Sequence, residues 1–416
     1  MNLGIRSKLS NILSMNSYGD YFVRSYRRRI VNPPYCKNKA LKAANYVSYY
    51  TNREYEEGIE NQLKNPVLKH ARIETTNICN LNCIGCGTKA TKRAKNFINL
   101  DNFKKAADAL RSKGLDTVSL YTTGEPFLSK NIDELITYLF DTGFKKVKIS
   151  SNGQYPDRMV ATYEKFLGKL HDARFSIDAA HQNTYKNIRV GGDIELIKDT
   201  MRGLHKLNKG KKDFYFKIST KNLITKENLD EILDFYHVFG EWVNPENHIF
   251  ALPNNMGLNE DFEDASSDYP SFIKMQRPCQ SPAESVVINW DGGVSPCYTG
   301  RDFHGEIVVG NVYEKKLEDI WTGEEAKKLR DTFLKDENGK FKRDIKASCC
   351  KDCFTVYPFA NDICNAYILF LYLSNPKMTG KEGGTRIREL LFDLHNAAIK
   401  KSNPMADEVV QKHFVI

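Results

Sequence analysis

Cys79, Cys83 and Cys86 fall in one short stretch, Thr75-Thr-Asn-Ile-Cys79-Asn-Leu-Asn-Cys83-Ile-Gly-Cys86. Closely spaced thiolates of this kind are the usual ligands of iron–sulfur clusters, and three of them can grip three irons of a [4Fe-4S] cube. The fourth iron is then open, as catalytic metal sites keep one position for an incoming group. A zinc site would call for a fourth Cys or His nearby. None occurs between Cys86 and His171. The chemistry indicated is therefore a metal cluster with an exchangeable position.

Six of the ten cysteines form a second group: Cys279, Cys297, Cys349, Cys350, Cys353 and Cys364. Asp291-Gly292-Gly293 is a hairpin-type turn that would bring Cys279 and Cys297 together. Cys36 stands alone and reads as a small buried hydrophobe.

Elsewhere the chain looks like an ordinary globular protein. Its 416 residues are 41% hydrophobic and 11% aromatic, enough for a large core. No run approaches the ~20 apolar residues of a membrane span. The most apolar stretch, 366–374, is too short, and no signal peptide is visible. A cytoplasmic location is expected. In a reducing compartment the cysteines read as metal ligands rather than disulfides.

The net charge of +9 is uneven. Residues 1–50 hold nine Lys or Arg against the single acid Asp20. With Arg27-Arg28-Arg29 beside Tyr21, Phe22 and Tyr26, this leader could meet an anionic partner or a membrane surface. The simpler alternative is the solvated face of an accessory helical subdomain. No specific nucleic-acid-binding motif accompanies it.

Hydrophobic patterning supplies the elements that would position these groups. Ile5, Leu9, Ile12 and Leu13 share one face of a short helix, and Asn32-Pro33-Pro34 breaks it. Strands are expected at 72–76, 117–121, 146–150, 173–178, 214–219 and 248–252. Helices are expected at 100–110, 132–140, 160–170, 194–207 and 229–239. Strands alternating with helices imply right-handed βαβ units and a parallel sheet. The fold class is α/β, a partial (βα)6 barrel with a basic helical N-terminal extension and a cysteine-rich C-terminal domain. The divisions fall at 1–70, 71–256, 275–365 and 366–416, with an acidic linker over 257–270. One amphipathic helix is expected around 386–397. In such architectures function sits at the carboxyl ends of the strands, where the first cysteine loop and the motifs below all fall.

The segment from 72 onward resembles the radical S-adenosylmethionine (SAM) superfamily, whose signature is CxxxCxxC after the first barrel strand. The resemblance implies that SAM chelates the open iron and is cleaved to a 5′-deoxyadenosyl radical, which abstracts a substrate hydrogen. Thr123-Gly124-Glu125-Pro126 resembles the family's GGEP, with Thr in place of the first Gly, and implies that Gly124 and Glu125 bind the SAM amino group. Ser151-Asn152-Gly153 resembles the TNG element near the ribose. Ser176-Ile177-Asp178 resembles the SxD element that contacts the ribose and the methionyl end. Arg189 resembles the arginine near the SAM carboxylate. Many members carry an aromatic residue just before the last cluster cysteine, where this chain has Gly85.

The second cysteine group, with Gly310-Asn-Val-Tyr and Trp321 between its halves, resembles the SPASM auxiliary iron–sulfur domain. Six cysteines are too few for a full two-cluster set. One [4Fe-4S] cluster fits best, on Cys279, Cys297, Cys350 and Cys353. Cys349 can substitute for Cys350, Cys364 is a spare, and four-thiolate zinc is the alternative.

The leading functional expectation is a radical SAM enzyme that oxidises, epimerises or dehydrates a small molecule, such as a sugar or a phosphorylated or lipid-linked compound. A maturase acting on a ribosomal peptide or an enzyme side chain is the second reading. A non-catalytic iron–sulfur or zinc scaffold or sensor is the third. The enzyme readings need a small-molecule or peptide substrate and a reductant such as flavodoxin or ferredoxin. No residue is assigned to radical relay or quenching.

Overall fold

The computed structural model describes residues 32–47, 53–89, 91–209, 216–252, 279–297, 302, 304–339, 350, 358–400 and 403–415. The expected helix at 5–13, the Arg27–Arg29 cluster, the 257–270 linker, Cys349 and Cys353 lie outside these residues.

The βα alternation builds a parallel sheet. Strands β1 (His70–Ile73), β2 (Thr117–Ser119), β3 (Lys146–Ser151), β4 (Asp172–Ser176), β5 (Lys217–Leu223) and β6 (His248–Ala251) lie side by side in chain order, each parallel to the next. Their alternation is one-sided. Val118, Val147, Ile149, Ala173, Phe175 and Ile218 enter the core, and the residues between them are polar.

The sheet does not end at β1. Strand β7 (Ser285–Ile288) adds to it in parallel and β8 (Val294–Ser295) pairs antiparallel with β7, giving eight strands in the order β6-β5-β4-β3-β2-β1-β7-β8. The six expected strands are thus joined by a hairpin from the cysteine-rich segment. The outer edge of β1 carries unpaired N–H and C=O groups, and Ser285-Val-Val-Ile288, buried throughout, satisfies them.

The helices are α1 (Pro33–Ala44), α2 (Arg53–Lys64), α3 (Leu100–Ser112), α4 (Ile132–Asp141), α5 (Pro156–Lys165), α6 (Gln182–Ile188), α7 (Ile194–Asn208), α8 (Phe235–Val238), α9 (Ser281–Glu284), α10 (Leu317–Thr322), α11 (Glu324–Asp331), α12 (Pro358–Ser374), α13 (Gly380–Ile399) and α14 (Asn403–His413). Several boundaries differ from expectation for identifiable reasons. Asn32-Pro33-Pro34 also starts a helix, α1. Asn32 Oδ1 accepts the Tyr35 N–H at 2.8 Å, and Pro33 sits where a helix has no N–H to spend. Pro156 likewise starts α5 four residues early. The expected helix at 229–239 is a 3-10 turn, Leu229–Asp234, leading into α8. Its buried Glu231 accepts the N–H groups of Ala180 and His181 at 2.8 and 2.9 Å, which pins the segment to the end of β4.

The helix expected around 386–397 is α13, and two further helices, α12 and α14, flank it. Helix α12, which contains the apolar 366–374 run, packs on α1 and along β6. No helix among the described residues is long and apolar enough to cross a membrane. Helix α12 also closes the β6 edge of the sheet. Asn365 Oδ1 accepts the Phe250 N–H at 2.7 Å and its Nδ2 donates to the Phe250 carbonyl. One turn earlier, Asn361 Oδ1 accepts the Leu252 N–H at 2.9 Å. Two amides spaced i, i+4 on one helical face thus take the place of a neighbouring strand. Asn365→Leu strands both polar groups of buried Phe250 and should cost about 1–3 kcal/mol in urea unfolding. An unchanged midpoint would show that the edge finds water instead.

Candidate functional site

The first cysteine loop leaves β1 and returns along its own stem. The Ile98 N–H donates to the Thr75 carbonyl at 2.9 Å, and Thr76 Oγ1 donates to the Asn96 carbonyl at 2.8 Å. Asn77 brackets the stem by donating to the Ala94 carbonyl at 2.8 Å and accepting the Asn96 N–H at 2.9 Å. Beneath the stem, the buried Glu74 carboxylate takes both terminal nitrogens of Arg93, at 3.1 and 2.7 Å, the Trp290 N–H at 3.1 Å, and the Thr123 hydroxyl. Sequence reasoning missed this network. Glu74 is a lone acid between motifs, and its partners lie far along the chain.

The other flank of the loop meets the segment after α6. The Asn82 and Ile84 N–H groups each donate at 2.8 Å, to the Val190 and Ile188 carbonyls. That pairing carries Arg189 to the cysteines. Its guanidinium lies 3.9 Å from Cys83 Sγ and holds Asp178 through Nε at 2.8 Å and Nη2 at 2.5 Å. Burial works against this charge, but Asp178 and Cys83 carry the Arg189 pKa above its ordinary value. Asp178 is the one non-glycine residue with positive φ among the described residues, at 66°. It holds that conformation with the Leu223 N–H on Oδ1 at 2.7 Å and Asn228 Nδ2 on its carbonyl at 2.5 Å.

The strand-end motifs converge on the same loop. Gly124 has φ +70°, and a Cβ there would run into the Thr76 carbonyl oxygen and approach that of Ile78 to 2.8 Å. Only glycine lets the cysteine loop cross the end of β2 this closely. The Glu125 carboxylate is turned inward. It accepts from the Phe127 N–H at 3.1 Å, the Ser151 hydroxyl at 2.9 Å and the Asn152 N–H at 2.8 Å. Burial raises its pKa, and those three donors oppose the rise. Glu125 therefore clamps the ends of β2 and β3 together. Asn152 Nδ2 donates to Asn80 at 2.8 Å and lies 3.9 Å from Cys79 Sγ. Ser176, a turn of the sheet away, shares a hydrogen bond with Ser150 at 3.2 Å.

Cys79, Cys83 and Cys86 are part-exposed and none forms a disulfide. Burial pushes the Cys79 thiol up to about 12, with the Leu81 N–H opposing and the Glu125 carboxylate and the other two cysteines adding to the rise. Burial also raises Cys83, against Arg189. Among the described residues, no group of three or more His, Cys, Asp or Glu side chains converges closely enough to hold a metal ion. The donor set itself fits an iron–sulfur cluster. Three free thiols stand on one loop, and N–H groups of Leu81, Asn152 and Arg189 approach the sulfurs of Cys79 and Cys83, as cluster ligands require.

The β7–β8 hairpin closes as the Asp-Gly-Gly turn suggested, with the Asn289 N–H on the Gly293 carbonyl at 2.8 Å and Gly292 at φ +87°. Cys279, Cys297 and Cys350 all pack against one satellite core of Ile59, Leu63, Ala283, Ile307 and Phe333. Two of those residues, Ile59 and Leu63, come from α2. The leader therefore packs against three of the C-terminal cysteines, which its charge alone did not suggest. Cys364 is buried in the main core on α12, its thiol pushed up to about 12 by burial, and Cys36 is buried likewise. Cys297→Ala should lower the iron of reconstituted protein by about four per chain. Zinc in its place, at unchanged iron, would refute a second cluster.

Two family models match this chain. That of the Radical SAM superfamily covers residues 73–238, and that of SPASM, an iron-sulfur cluster-binding domain, covers residues 279–354. Among curated proteins, the antilisterial bacteriocin subtilosin biosynthesis protein AlbA of Bacillus subtilis is 24% identical over 286 residues, 64% of this chain and 62% of AlbA. The tungsten-containing aldehyde ferredoxin oxidoreductase cofactor-modifying protein of Pyrococcus furiosus is 26% identical over 62% of this chain and 82% of its own length. The Fe-coproporphyrin III synthase of Methanosarcina barkeri is 28% identical over 59% and 72%. The chain thus spans less than two thirds of AlbA.

Proposed function

We propose, for a chain that is a radical SAM enzyme with a C-terminal SPASM iron–sulfur domain, that it removes a hydrogen atom from a small molecule and carries it to oxidation, epimerisation or dehydration. The observation that supports this reading is the junction of the cysteine loop with the ends of β2, β3 and β4 through Gly124, Glu125, Asn152 and the Arg189–Asp178 pair.

Cys79, Cys83 and Cys86 are the residues that would hold the [4Fe-4S] cluster. When bound, cluster and SAM would together supply a 5′-deoxyadenosyl radical. The protein's part is positioning. Arg189 keeps a positive charge beside Cys83 and favours its thiolate. Asn152 steadies the loop at Cys79 and Asn80. Glu125 fixes the Asn152 backbone, and with Gly124 it forms the rim assigned to the SAM amino group. Ser176, Asp178 and Arg189 are assigned to the ribose and carboxylate side. Cys279, Cys297, Cys350 and Cys353 are assigned to one auxiliary [4Fe-4S] cluster, an electron outlet suited to net oxidation. A flavodoxin or ferredoxin would be the electron donor, and a cytoplasmic location suits that partner.

A maturase acting on a peptide is the second reading, supported by the name of AlbA, a bacteriocin biosynthesis protein. The test common to both is anaerobic reconstitution followed by SAM and dithionite. Formation of 5′-deoxyadenosine is expected, and its absence from protein with an intact cluster would end the enzyme reading.

A further inference from the structure

The inner face of the barrel sheet carries a charge pattern that the cofactor site does not use. Register and the two-residue period place the side chains. Arg72 pairs with Ser119 and Ser119 with Lys148, so all three share a face. Ser150, two residues beyond Lys148, pairs with Arg174, and Arg174 with Ser219. Ser176, two beyond Arg174, pairs with Lys221. Tyr121 follows Ser119 by two and joins the same face. The opposite face is the apolar one, buried under the helices. The polar face is therefore the concave side, and the cysteine loop and the strand-end motifs stand at its carboxyl rim.

Along β1 to β5 these concave positions hold Arg72, Lys146, Lys148, Arg174, Lys217 and Lys221 against one carboxylate, Asp172. Asp172 is already engaged, by Arg174 at 2.8 Å, Lys217 at 3.9 Å and the Ser219 hydroxyl at 2.7 Å. The acids at the rim are engaged too, Glu74 by Arg93 and Asp178 by Arg189. A small void is lined by Arg72, Ser119, Tyr121 and Lys148 together. The Arg72 guanidinium lies 4.8 Å over the Tyr121 ring. Arg174 Nε is buried with no hydrogen-bond acceptor among the described residues. The charges also act on one another. Burial raises the Tyr121 phenol, yet Arg72, Arg174 and Lys221 bring it below its ordinary value.

Like charges gathered on a concave face repel one another and focus a positive potential into it. An anion relieves that repulsion, and guanidinium groups bind phosphate and carboxylate through paired N–H donors. We propose that the concave face binds a phosphate or carboxylate group of the substrate through Arg72, Lys148, Arg174 and Lys221. This rests on the enzyme reading above and gives its small molecule a charge.

The test is calorimetric titration of the anaerobically reconstituted full chain with inorganic pyrophosphate and, in parallel, citrate. Chloride at matched ionic strength is the control. One or both polyanions should bind in one-to-one ratio. The stronger arm tells a phosphate from a carboxylate substrate. The double variant Lys148→Gln/Lys221→Gln, whose side chains are part-exposed or exposed, should weaken binding roughly 10-fold to 100-fold. Lys221→Arg, which keeps the charge, should bind close to wild type. No binding above chloride, or wild-type affinity in the double variant, overturns the proposal. So does a loss in Lys221→Arg as large as in Lys221→Gln alone. Formation of 5′-deoxyadenosine is measured on the same wild-type preparation. Cleavage without anion binding defeats the anion site alone, and anion binding without cleavage defeats the enzyme reading alone.

Discussion

Cys83→Ala, reconstituted anaerobically and given SAM and dithionite, is expected to form no 5′-deoxyadenosine above a protein-free control. Cys83 is the middle of three thiols and the one beside Arg189, at 3.9 Å. Its loss would leave two ligands for a four-iron cube and take the sulfur from beside Arg189, which keeps its pair with Asp178. Removing even an outer-shell partner costs a metal site about 10–100-fold in affinity or activity. Losing a direct ligand should cost more, so the iron of the first cluster should fall with the product. Cys36→Ala is the control, because Cys36 is buried in the main core on α1, outside the loop, and should keep its iron. Cleavage persisting in Cys83→Ala would remove the loop from the chemistry.

Glu74→Ala should have the largest effect on stability. The Glu74 and Arg93 side chains are only 1% and 8% exposed, and the carboxylate also takes Trp290 and Thr123. Its removal leaves a buried guanidinium whose nearest remaining acid, Asp291, is 3.8 Å away and half-exposed. Breaking such a pair costs about 3–5 kcal/mol, measured as a lower urea midpoint. Replacing both partners, Glu74→Leu with Arg93→Leu, should recover a good part of the loss because no charge is then stranded. A Glu74→Ala change below about 1 kcal/mol, within the range of exposed ion pairs, would show that the network is solvated.

The barrel was legible where its alternation was strong. Strands β3 and β4 lie almost where Lys146–Ser150 and Ala173–Asp178 placed them, because each alternates core and polar residues without interruption. Strand β5 runs three to four residues later than expected. Its concave positions, Lys217, Ser219 and Lys221, are too polar to mark a strand by hydrophobicity. Strand β7 was not legible. Ser285–Ile288 is a short apolar run, and only the vacant edge of β1, distant in sequence, tells it where to pair. The site divides in the same way. Spacing marked Cys79, Cys83 and Cys86, and the resemblance to the radical SAM strand-end motifs marked Gly124, Asn152 and Asp178. Glu74 could not be found because its meaning lies in Arg93, Thr123 and Trp290, which folding alone brings to it. The inward turn of Glu125 is a rotamer, and no one-letter pattern encodes a rotamer.

The two asparagines of α12 have a consequence for how the chain is made. During synthesis, β6 leaves the ribosome more than a hundred residues before Asn361 and Asn365. For that interval the nascent barrel presents an open β edge to every other unfinished chain nearby, and such edges are templates for intermolecular pairing. Chains truncated before α12 should therefore leave the ribosome sticky, and the hazard ends when the last helices arrive. The C-terminal helices act as the stop on polymerisation as well as part of the core.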